Sequence, residues 1–192
     1  FEWLPGAKCH MEASCELIIG GGSTFRLGNQ TKLEVHDGAV VRVKSGSELI
    51  IQAGAQLSLH DGGLVHVEEG GRLILESDAA DAIFLGNPLF APTDAELRIN
   101  GTLELTNSVD LKIDGDGFIN IQGNGTIEFG TGCHVKMNGE GKTNKMLQLG
   151  NNVSLYVPNM DVEFTNGLVK LSAGASIEAY NSDIDIDNAT FD

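Results

Sequence analysis

The chain has 192 residues, with 27 acidic and 12 basic side chains and a formal net charge of −15. Nucleic-acid phosphates and anionic lipids are recognised by basic faces, so neither is expected as a partner. The longest apolar runs, such as residues 83–85, are far too short to cross a bilayer, and we expect no membrane insertion.

The first part of the chain is an octad repeat. Residues 31–78 divide into TKLEVHDG, AVVRVKSG, SELIIQAG, AQLSLHDG, GLVHVEEG and GRLILESD. The third and fifth positions are apolar throughout, and this period of two puts both side chains on one face of a strand. The eighth position is glycine except at Asp78, and glycine suits a sharp corner that needs a positive φ. The same phase extends back through Phe25, Leu17 and Cys9, so regular octads are predicted over residues 7–78.

The strand pattern continues with looser spacing over residues 95–192. The predicted inward pairs are Leu97/Ile99, Leu103/Leu105, Leu111/Ile113, Ile119/Ile121, Ile127/Phe129, Val135/Met137, Leu147/Leu149, Leu155/Val157, Val162/Phe164, Val169/Leu171, Ile177/Ala179 and Ile184/Ile186. Two stretches, 79–94 and 138–146, interrupt the rhythm and are predicted to be loops that leave the repeat.

These units predict an all-β fold, a parallel β-solenoid. A short strand with one apolar face is unstable alone, so closely repeated units must stack around a shared interior. A hairpin-based sandwich is the alternative, but it would vary its turn types and strand lengths. Two octads per coil would stack Arg26 on Arg42. Three octads per coil place His10 beside Glu34 and Arg42 beside His66, and also enclose room for large side chains, so we predict about three strands per coil.

The glycine-cornered L-x-V units, as in SELIIQAGAQLSLHDGG and LVKLSAGASIEAYNS, resemble the right-handed parallel β-helix of the pectin-lyase-like superfamily. They look most like repeat segments of large secreted or cell-surface proteins of Bacteroidota-type bacteria, many of them type IX secretion cargo. This resemblance covers nearly the whole chain and implies a right-handed coil and an extracellular location. The same solenoid carries lyases, glycosidases, tailspikes and adhesins, so the resemblance assigns no catalytic residues.

Four carboxylates form the strongest candidate site. In the run SDIDIDN the isoleucines are predicted to point inward and the aspartates outward. The three-faced register then stacks Asp183 on Asp161 and Asp185 on Glu163. Adjacent like charges repel unless a cation, a raised pKa or a basic neighbour intervenes. One interpretation is a Ca²⁺ site at these four residues, and the other is a set of solvated acids that keep a rod soluble.

The remaining polar residues predict no catalytic site. Lys136 falls in the same column as Glu163 and is interpreted as its salt-bridge partner. His36 and His60 are predicted to stack as a surface ladder, since the histidines lack H-x-x-x-H spacing. The run at residues 114–117 is predicted to be a turn, because it lacks the remaining ligands of a calcium loop. The histidines are His10, His36, His60, His66 and His134.

The three cysteines are an odd number. Cys9 and Cys15 lie six residues apart in the first, irregular turn, where a disulfide would staple the end of the solenoid in an oxidising compartment. The spacing leaves the bridge and two free thiols equally open. Cys133 is predicted to be a small buried or corner side chain. The many asparagines after residue 97 are predicted to occupy corners and to form side-chain ladders.

Both ends lead us to expect a segment of a longer chain, with residues 1–192 as a single solenoid domain. The last unit, IDIDNATFD, has Phe191 in an inward position and no cap, although a solenoid must cover its terminal strands. At the other end, Phe1, Trp3 and Leu4 are expected to plug the first coil or to pack on a preceding domain.

The favoured function is non-enzymatic: an extracellular structural or adhesin-type module that acts as a stalk or binding surface. Its expected partners are other domains of the same chain, or a protein or glycan surface. The alternative is a carbohydrate-active β-helix enzyme, a polysaccharide lyase or glycosidase that uses the outer-face carboxylates. No cofactor is expected other than Ca²⁺ at the four carboxylates.

Overall fold

The structure is a computed structural model that describes residues 1–12, 14–36, 38–60, 62–76, 83–85, 95–106, 108–114, 117–139 and 145–192, with the side chains of residues 84, 110, 112 and 114 left aside. None of the described residues lies in a helix. All strand pairings among them are parallel, so the predicted fold is confirmed: the chain is an all-β parallel β-solenoid of about seven turns with three strands per turn.

The strands follow one another at short intervals. They are β1 (Glu2–Trp3), β2 (Lys8–Met11), β3 (Glu16–Ile19), β4 (Thr24–Leu27), β5 (Lys32–Val35), β6 (Val40–Val43), β7 (Glu48–Ile51), β8 (Gln56–Leu59), β9 (Leu64–Val67), β10 (Arg72–Leu75), β11 (Ile83–Leu85), β12 (Glu96–Ile99), β13 (Thr102–Leu105), β14 (Asp110–Asp114), β15 (Phe118–Ile121), β16 (Thr126–Phe129), β17 (His134–Asn138), β18 (Lys145–Leu149), β19 (Ser154–Pro158), β20 (Asp161–Thr165), β21 (Leu168–Leu171), β22 (Ser176–Tyr180), β23 (Ile184–Asp187) and β24 (Thr190–Phe191).

Every third strand lies on the same face. Face 1 is the sheet β1-β4-β7-β10-β13-β16 followed by the pair β19-β22, and face 2 is the sheet β2-β5-β8-β11 followed by β14-β17-β20-β23. Face 3 is one 8-stranded sheet that runs from β3 to β24. The predicted register is confirmed, since His10 lies opposite Glu34 and Arg42 opposite His66.

The inward positions of the octads form the core. Their side chains are fully buried because each lies between the same positions of the turns above and below. Examples are Leu33, Val35, Val41, Val43, Leu49, Ile51, Leu57, Leu59, Val65, Val67, Leu73 and Leu75. The inward pairs of residues 95–192 also fall on strands as predicted. In the last turn the inward positions are less covered, and Ile186 is 50% exposed because no described strand stacks beyond β23.

The two predicted loops are partly wrong. Residues 83–85 lie within the predicted loop 79–94, yet they form β11, which pairs with β8. The reason is that Ile83 and Leu85 continue the inward alternation and are buried. In the predicted loop 138–146, Asn138 ends β17, and Lys145 and Met146 begin β18. The rest of both stretches lies outside the described residues, apart from Gly139.

Most corners are glycine or asparagine with positive φ. In the octads most corners are glycine, for example Gly46 with φ +72°, and Ser14 and Gln30 are exceptions. Near the C-terminus several corners are asparagine, although Gly174 is also one, and the side-chain ladders predicted there are confirmed. Asn166 has φ 49° and its amide donates to Asn138 (3.4 Å), while Asn188 donates to Asn166 (2.7 Å). A second ladder joins Asn181 to Asn159 (3.1 Å).

The first turn is closed by aromatic packing. The Trp3 ring packs edge-on against Phe25 with centroids 5.2 Å apart, and Phe1 stacks on Phe25 at 5.4 Å. The side chains of Phe1 and Leu4 are 80% and 79% exposed. Of the predicted plug, Trp3 is therefore the partly buried residue that packs against the core, and Phe1 covers Phe25 from the outside.

Candidate functional site

The four predicted carboxylates lie together on face 2, on neighbouring strands. In β20 the inward Val162 and Phe164 alternate with Asp161 and Glu163, which point outward. Glu163 lies directly opposite Asp185 of β23. Asp183 precedes β23, and its carbonyl oxygen accepts a hydrogen bond from the Val162 N–H (2.9 Å), which places it beside Asp161. The predicted stacking of the acids is therefore confirmed.

A shallow groove of about 480 Å³ runs across this part of face 2. Its polar lining comprises the four carboxylates together with His134 and Lys136 of β17, over a floor of Leu111, Val135 and Val162. His134 lies opposite Asp161 in the neighbouring turn. His134 was not among the predicted site residues, although the register that pairs Lys136 with Glu163 also pairs His134 with Asp161.

The charges in the groove are only partly balanced. The Lys136 ammonium donates to both carboxylate oxygens of Glu163 at 2.8 Å, so the predicted salt bridge is confirmed. Three further carboxylates, those of Asp161, Asp183 and Asp185, share the groove with that pair. Oxygen ligands on adjacent turns suit a hard cation or the hydroxyl groups of a sugar. Calcium binding at this groove stays a prediction.

A second cluster lies at the opposite end of face 2 and was not predicted as a unit. His10 of β2 lies beside Glu34 of β5, with 2.5 Å between Nδ1 and a carboxylate oxygen. The His36 ring follows β5 at the corner, and its ligand nitrogen lies within 4.8 Å of the ligand atoms of His10 and Glu34. The His36 and His60 rings stack with centroids 4.6 Å apart, which confirms the predicted ladder.

Glu34 is the electrostatic centre of the second cluster. Burial alone would raise the pKa of Glu34, but the hydrogen bond from Lys32 and the charges of Lys32, His10 and His36 outweigh it and lower the pKa below its usual value. The Lys32 ammonium lies 2.5 Å from the second carboxylate oxygen. The carboxylate is therefore ionised at neutral pH and is shared between two basic groups.

The cysteines are all free thiols in the structure. Cys9 is half-buried and Cys15 exposed, and burial, followed by the nearby Cys15, raises the pKa of the Cys9 thiol. The Cys9–Cys15 bridge stays a prediction for an oxidising compartment. Cys133 is fully buried, as predicted, and its Sγ lies 3.0 Å from the carbonyl oxygen of Thr106.

A further polar contact joins two turns on face 3. Arg98 donates to both oxygens of Glu96, at 2.8 and 2.7 Å, and the Asn120 amide donates to Glu96 at 2.7 Å. Burial acts to raise the pKa of Glu96, yet these hydrogen bonds and the charges of Arg98 and Lys145 lower it. Glu96 in turn raises the pKa of Arg98. We interpret this arrangement as a structural ion pair, since Glu96 is bound by both Arg98 and Asn120.

Two sequence features remain. Asp114 ends β14, whereas residues 115 and 116 of the predicted turn lie outside the described residues. Within the described ranges no helix is long and apolar enough to span a membrane. Comparison of the chain with models of protein families, with curated proteins and with solved structures gives no match.

Proposed function

We propose that the chain is a structural β-solenoid module of a secreted or cell-surface protein, which spaces other domains or presents its outer faces to a protein or glycan. The main support is that many outward polar side chains bind polar side chains of the next turn, at the same or a neighbouring position. Such contacts run along the solenoid axis and resist bending between turns.

These contacts occur on all three faces. On face 1, Arg72 pairs with Glu48 (3.0 Å) and with Glu104. On face 3, the Arg42 guanidinium binds Glu16 at 2.5 Å. On face 2 the Lys136–Glu163 pair joins neighbouring turns, and at the corners the asparagine ladders join them. A surface that binds itself from turn to turn suits a stiff spacer, and its net negative charge keeps it soluble.

The octads support a more specific assignment of family and export route. The resemblance of the glycine-cornered units to repeat segments of Bacteroidota-type surface proteins supports a pectin-lyase-like β-helix exported by type IX secretion. The experiment is to map the location of the native protein by antibody labelling of intact cells. Label on the cell surface is expected. Label confined to the cytoplasm would contradict the proposal.

The groove on face 2 favours a second candidate, a carbohydrate-active enzyme. Its carboxylates lie on adjacent turns, as acid–base catalysis of glycoside cleavage or Ca²⁺-assisted elimination requires. Asp185 and Asp161 would then be the reacting or calcium-binding acids, since Glu163 is held by Lys136.

The two candidates are separated by incubating the protein with polyuronates and neutral glycans, with and without Ca²⁺. The structural proposal expects no products. Products that disappear in Asp185→Asn but persist in Glu178→Gln, an outward acid on face 1, would establish the enzyme and overturn the structural proposal.

A further inference from the structure

We propose that His10, Glu34 and His36 form a binding site for a divalent transition-metal ion such as Zn²⁺. The proposal is independent of the structural role and of the carboxylate groove, which lies at the other end of face 2. It rests on three side chains of the right chemistry whose ligand atoms all lie within 4.8 Å of one another.

The backbone holds the three residues close together. His10 and Glu34 are partners in the parallel pairing of β2 with β5. The His36 N–H donates to the Met11 carbonyl oxygen at 2.8 Å, and the His36 carbonyl oxygen accepts from the Ala39 N–H at 2.8 Å. Strand pairing and these two hydrogen bonds fix all three Cα positions, so only side-chain rotations remain to be made on binding.

The ligand atoms are near the spacing that a metal needs. Ligands bound at about 2.0–2.1 Å in a tetrahedral site lie roughly 3.3 Å from one another. In the structure His10 Nδ1 lies 2.5 Å from Glu34, as a direct contact without an ion between them. Binding would open the His10–Glu34 pair by about 1 Å and bring the His36 nitrogen closer to the other two ligands by up to about 1.5 Å. Side-chain rotation supplies movements of this size.

The donor set selects the kind of ion. Two imidazole nitrogens and one carboxylate suit Zn²⁺, Cu²⁺, Ni²⁺ or Fe²⁺, whereas Ca²⁺ and Mg²⁺ prefer oxygen ligands alone. Three protein ligands leave at least one coordination position for water. The stacking of His60 on His36 restrains the orientation of the His36 ring, as neighbours of metal ligands commonly do.

Lys32 opposes metal binding and provides a sharp test. Its ammonium lies 2.5 Å from Glu34 and competes with the ion for the same carboxylate. It also adds a positive charge beside an incoming cation. Replacing Lys32 with a neutral residue of similar length is therefore expected to strengthen binding, which a purely structural Lys32–Glu34–His10 cluster would not do.

The experiment is calorimetric titration of the whole chain with Zn²⁺ at pH 7.5, after treatment with a chelator. A Cys9→Ser/Cys15→Ser background removes the nearby thiols as competing ligands. We expect one Zn²⁺ per chain, binding at least about tenfold weaker in His10→Ala and in His36→Ala, and tighter in Lys32→Met. Ca²⁺ is expected to leave the Zn²⁺ isotherm unchanged.

The controls separate loss of a ligand from loss of structure. The His10 side chain is 58% exposed, so His10→Ala removes no core packing. His66→Ala is the matched control, because His66 is a face-3 histidine bound to Arg42 and Asn100 instead. Unaltered Zn²⁺ binding in His10→Ala and His36→Ala, or no binding to the serine background, would overturn the proposal.

Discussion

The octad region, residues 7–75, and the region from residue 95 onward build the same three-sided coil with different regularity. Contacts between equivalent positions of neighbouring octad turns span 24 residues, as for Arg72 and Glu48. In the second region the separation varies, with 22 residues between Ser154 and Ser176, 27 between Lys136 and Glu163, and 28 between Asn138 and Asn166. Both regions nevertheless keep parallel pairing throughout their described strands, and the inward alternation is interrupted at β18, where the register shifts between Lys145 and Leu147.

One difference lies at the corners. Most octad corners are glycines, of which Gly46 has no atom within 4 Å of the position that a Cβ would occupy. Several corners near the C-terminus are asparagines that bind one another along the axis, as Asn188 binds Asn166. Glycine accepts the left-handed backbone of a tight corner, whereas asparagine accepts the same backbone and adds a hydrogen bond between turns.

The interior therefore constrains this fold more tightly than the length of its turns does. Turns of 22 to 28 residues stack because each still presents an apolar side chain at the same inward positions. The interior, the close backbone contacts, the junction between the regions and the corners are expected to affect stability in that decreasing order.

The interior of the second region should be its most sensitive part. Phe164 is fully buried, and it is among the largest such side chains. We expect Phe164→Ala to lower the free energy of unfolding by about 3–5 kcal/mol, because it removes apolar contacts and leaves a cavity. Urea unfolding, followed by circular dichroism, measures the change.

Phe164→Leu is the control for that experiment, since it keeps most of the volume. Leu57→Ala, at a fully buried octad position, gives the matching value for the first region at about 2–5 kcal/mol. A loss below about 1 kcal/mol in Phe164→Ala would mean that the second region tolerates cavities and that its interior is not the constraint.

Substitution by alanine should destabilise the protein to different extents at two kinds of glycine. A Cβ at Gly125 would overlap the carbonyl oxygen of Ile99 in the preceding turn, a backbone atom that cannot move aside. Gly46 has room for a Cβ but a positive φ of +72°. We expect Gly125→Ala to lower the free energy of unfolding by about 3 kcal/mol because of overpacking. We expect Gly46→Ala to lower it by about 1–2 kcal/mol because of backbone strain.

Thermal and urea unfolding of the two variants would test that order. Equal losses would show that the close approach of turns at Gly125 is relieved by a shift of the backbone. A larger loss of stability in Gly46→Ala than in Gly125→Ala would contradict the prediction, and would mean that the left-handed corner tolerates alanine less well than the close contact between turns does.

Glu96 tests the junction, because it lies between Leu64 of the octad region and Phe118. Its pKa is lowered, so its contribution to stability is present above the ordinary value of 4.5 and is lost as the pH falls through the lower folded value. We expect Glu96→Gln to lower the free energy of unfolding by about 1.5–3 kcal/mol at pH 7, since the substitution removes a charged hydrogen-bond acceptor.

Unfolding titrations from pH 7 to pH 3 measure this effect. The gap between wild type and Glu96→Gln should be constant at neutral pH and close below about pH 4.5 as the wild-type carboxyl becomes protonated. A gap that persists at pH 3 would mean that the substitution disturbs packing and that the charge of Glu96 is not the cause.

How far the sequence predicts the structure depends on whether a feature follows from strand alternation alone. The alternation predicted the inward pairs, and with the octad spacing it placed Arg42 beside His66. Counting every third inward pair placed Glu163 beside Asp185, although these two residues are only 22 apart. The same counting placed Asp161 beside Asp183, so the carboxylates that line the groove were predictable. All of these features follow from the alternation of inward and outward residues along a strand.

Features that depend on the path of an irregular segment were missed. β11 lies farther along the chain than the octad spacing would place it, and the flanking Pro88 and Pro92 suggested a loop. The meeting of His36 with His10 depends on the backbone direction just after β5, where strand alternation no longer applies. The exposure of Leu4 likewise depends on the turn that follows β1.

The corner ladder should produce the smallest effect and the sharpest comparison between the regions. Asn166→Ala removes the ladder hydrogen bonds and strains a corner with φ 49°, so we expect it to lower the free energy of unfolding by about 1–2 kcal/mol. Asn166→Gly removes the same hydrogen bonds without the strain, and we expect it to lower the free energy of unfolding by about 0.5–1.5 kcal/mol. The reciprocal Gly46→Asn should be less damaging than Gly46→Ala, because asparagine accepts the left-handed region. Urea unfolding of all four variants measures the differences. If Asn166→Gly is as stable as wild type, the ladder contributes nothing, and asparagine is present at these corners only because its backbone fits.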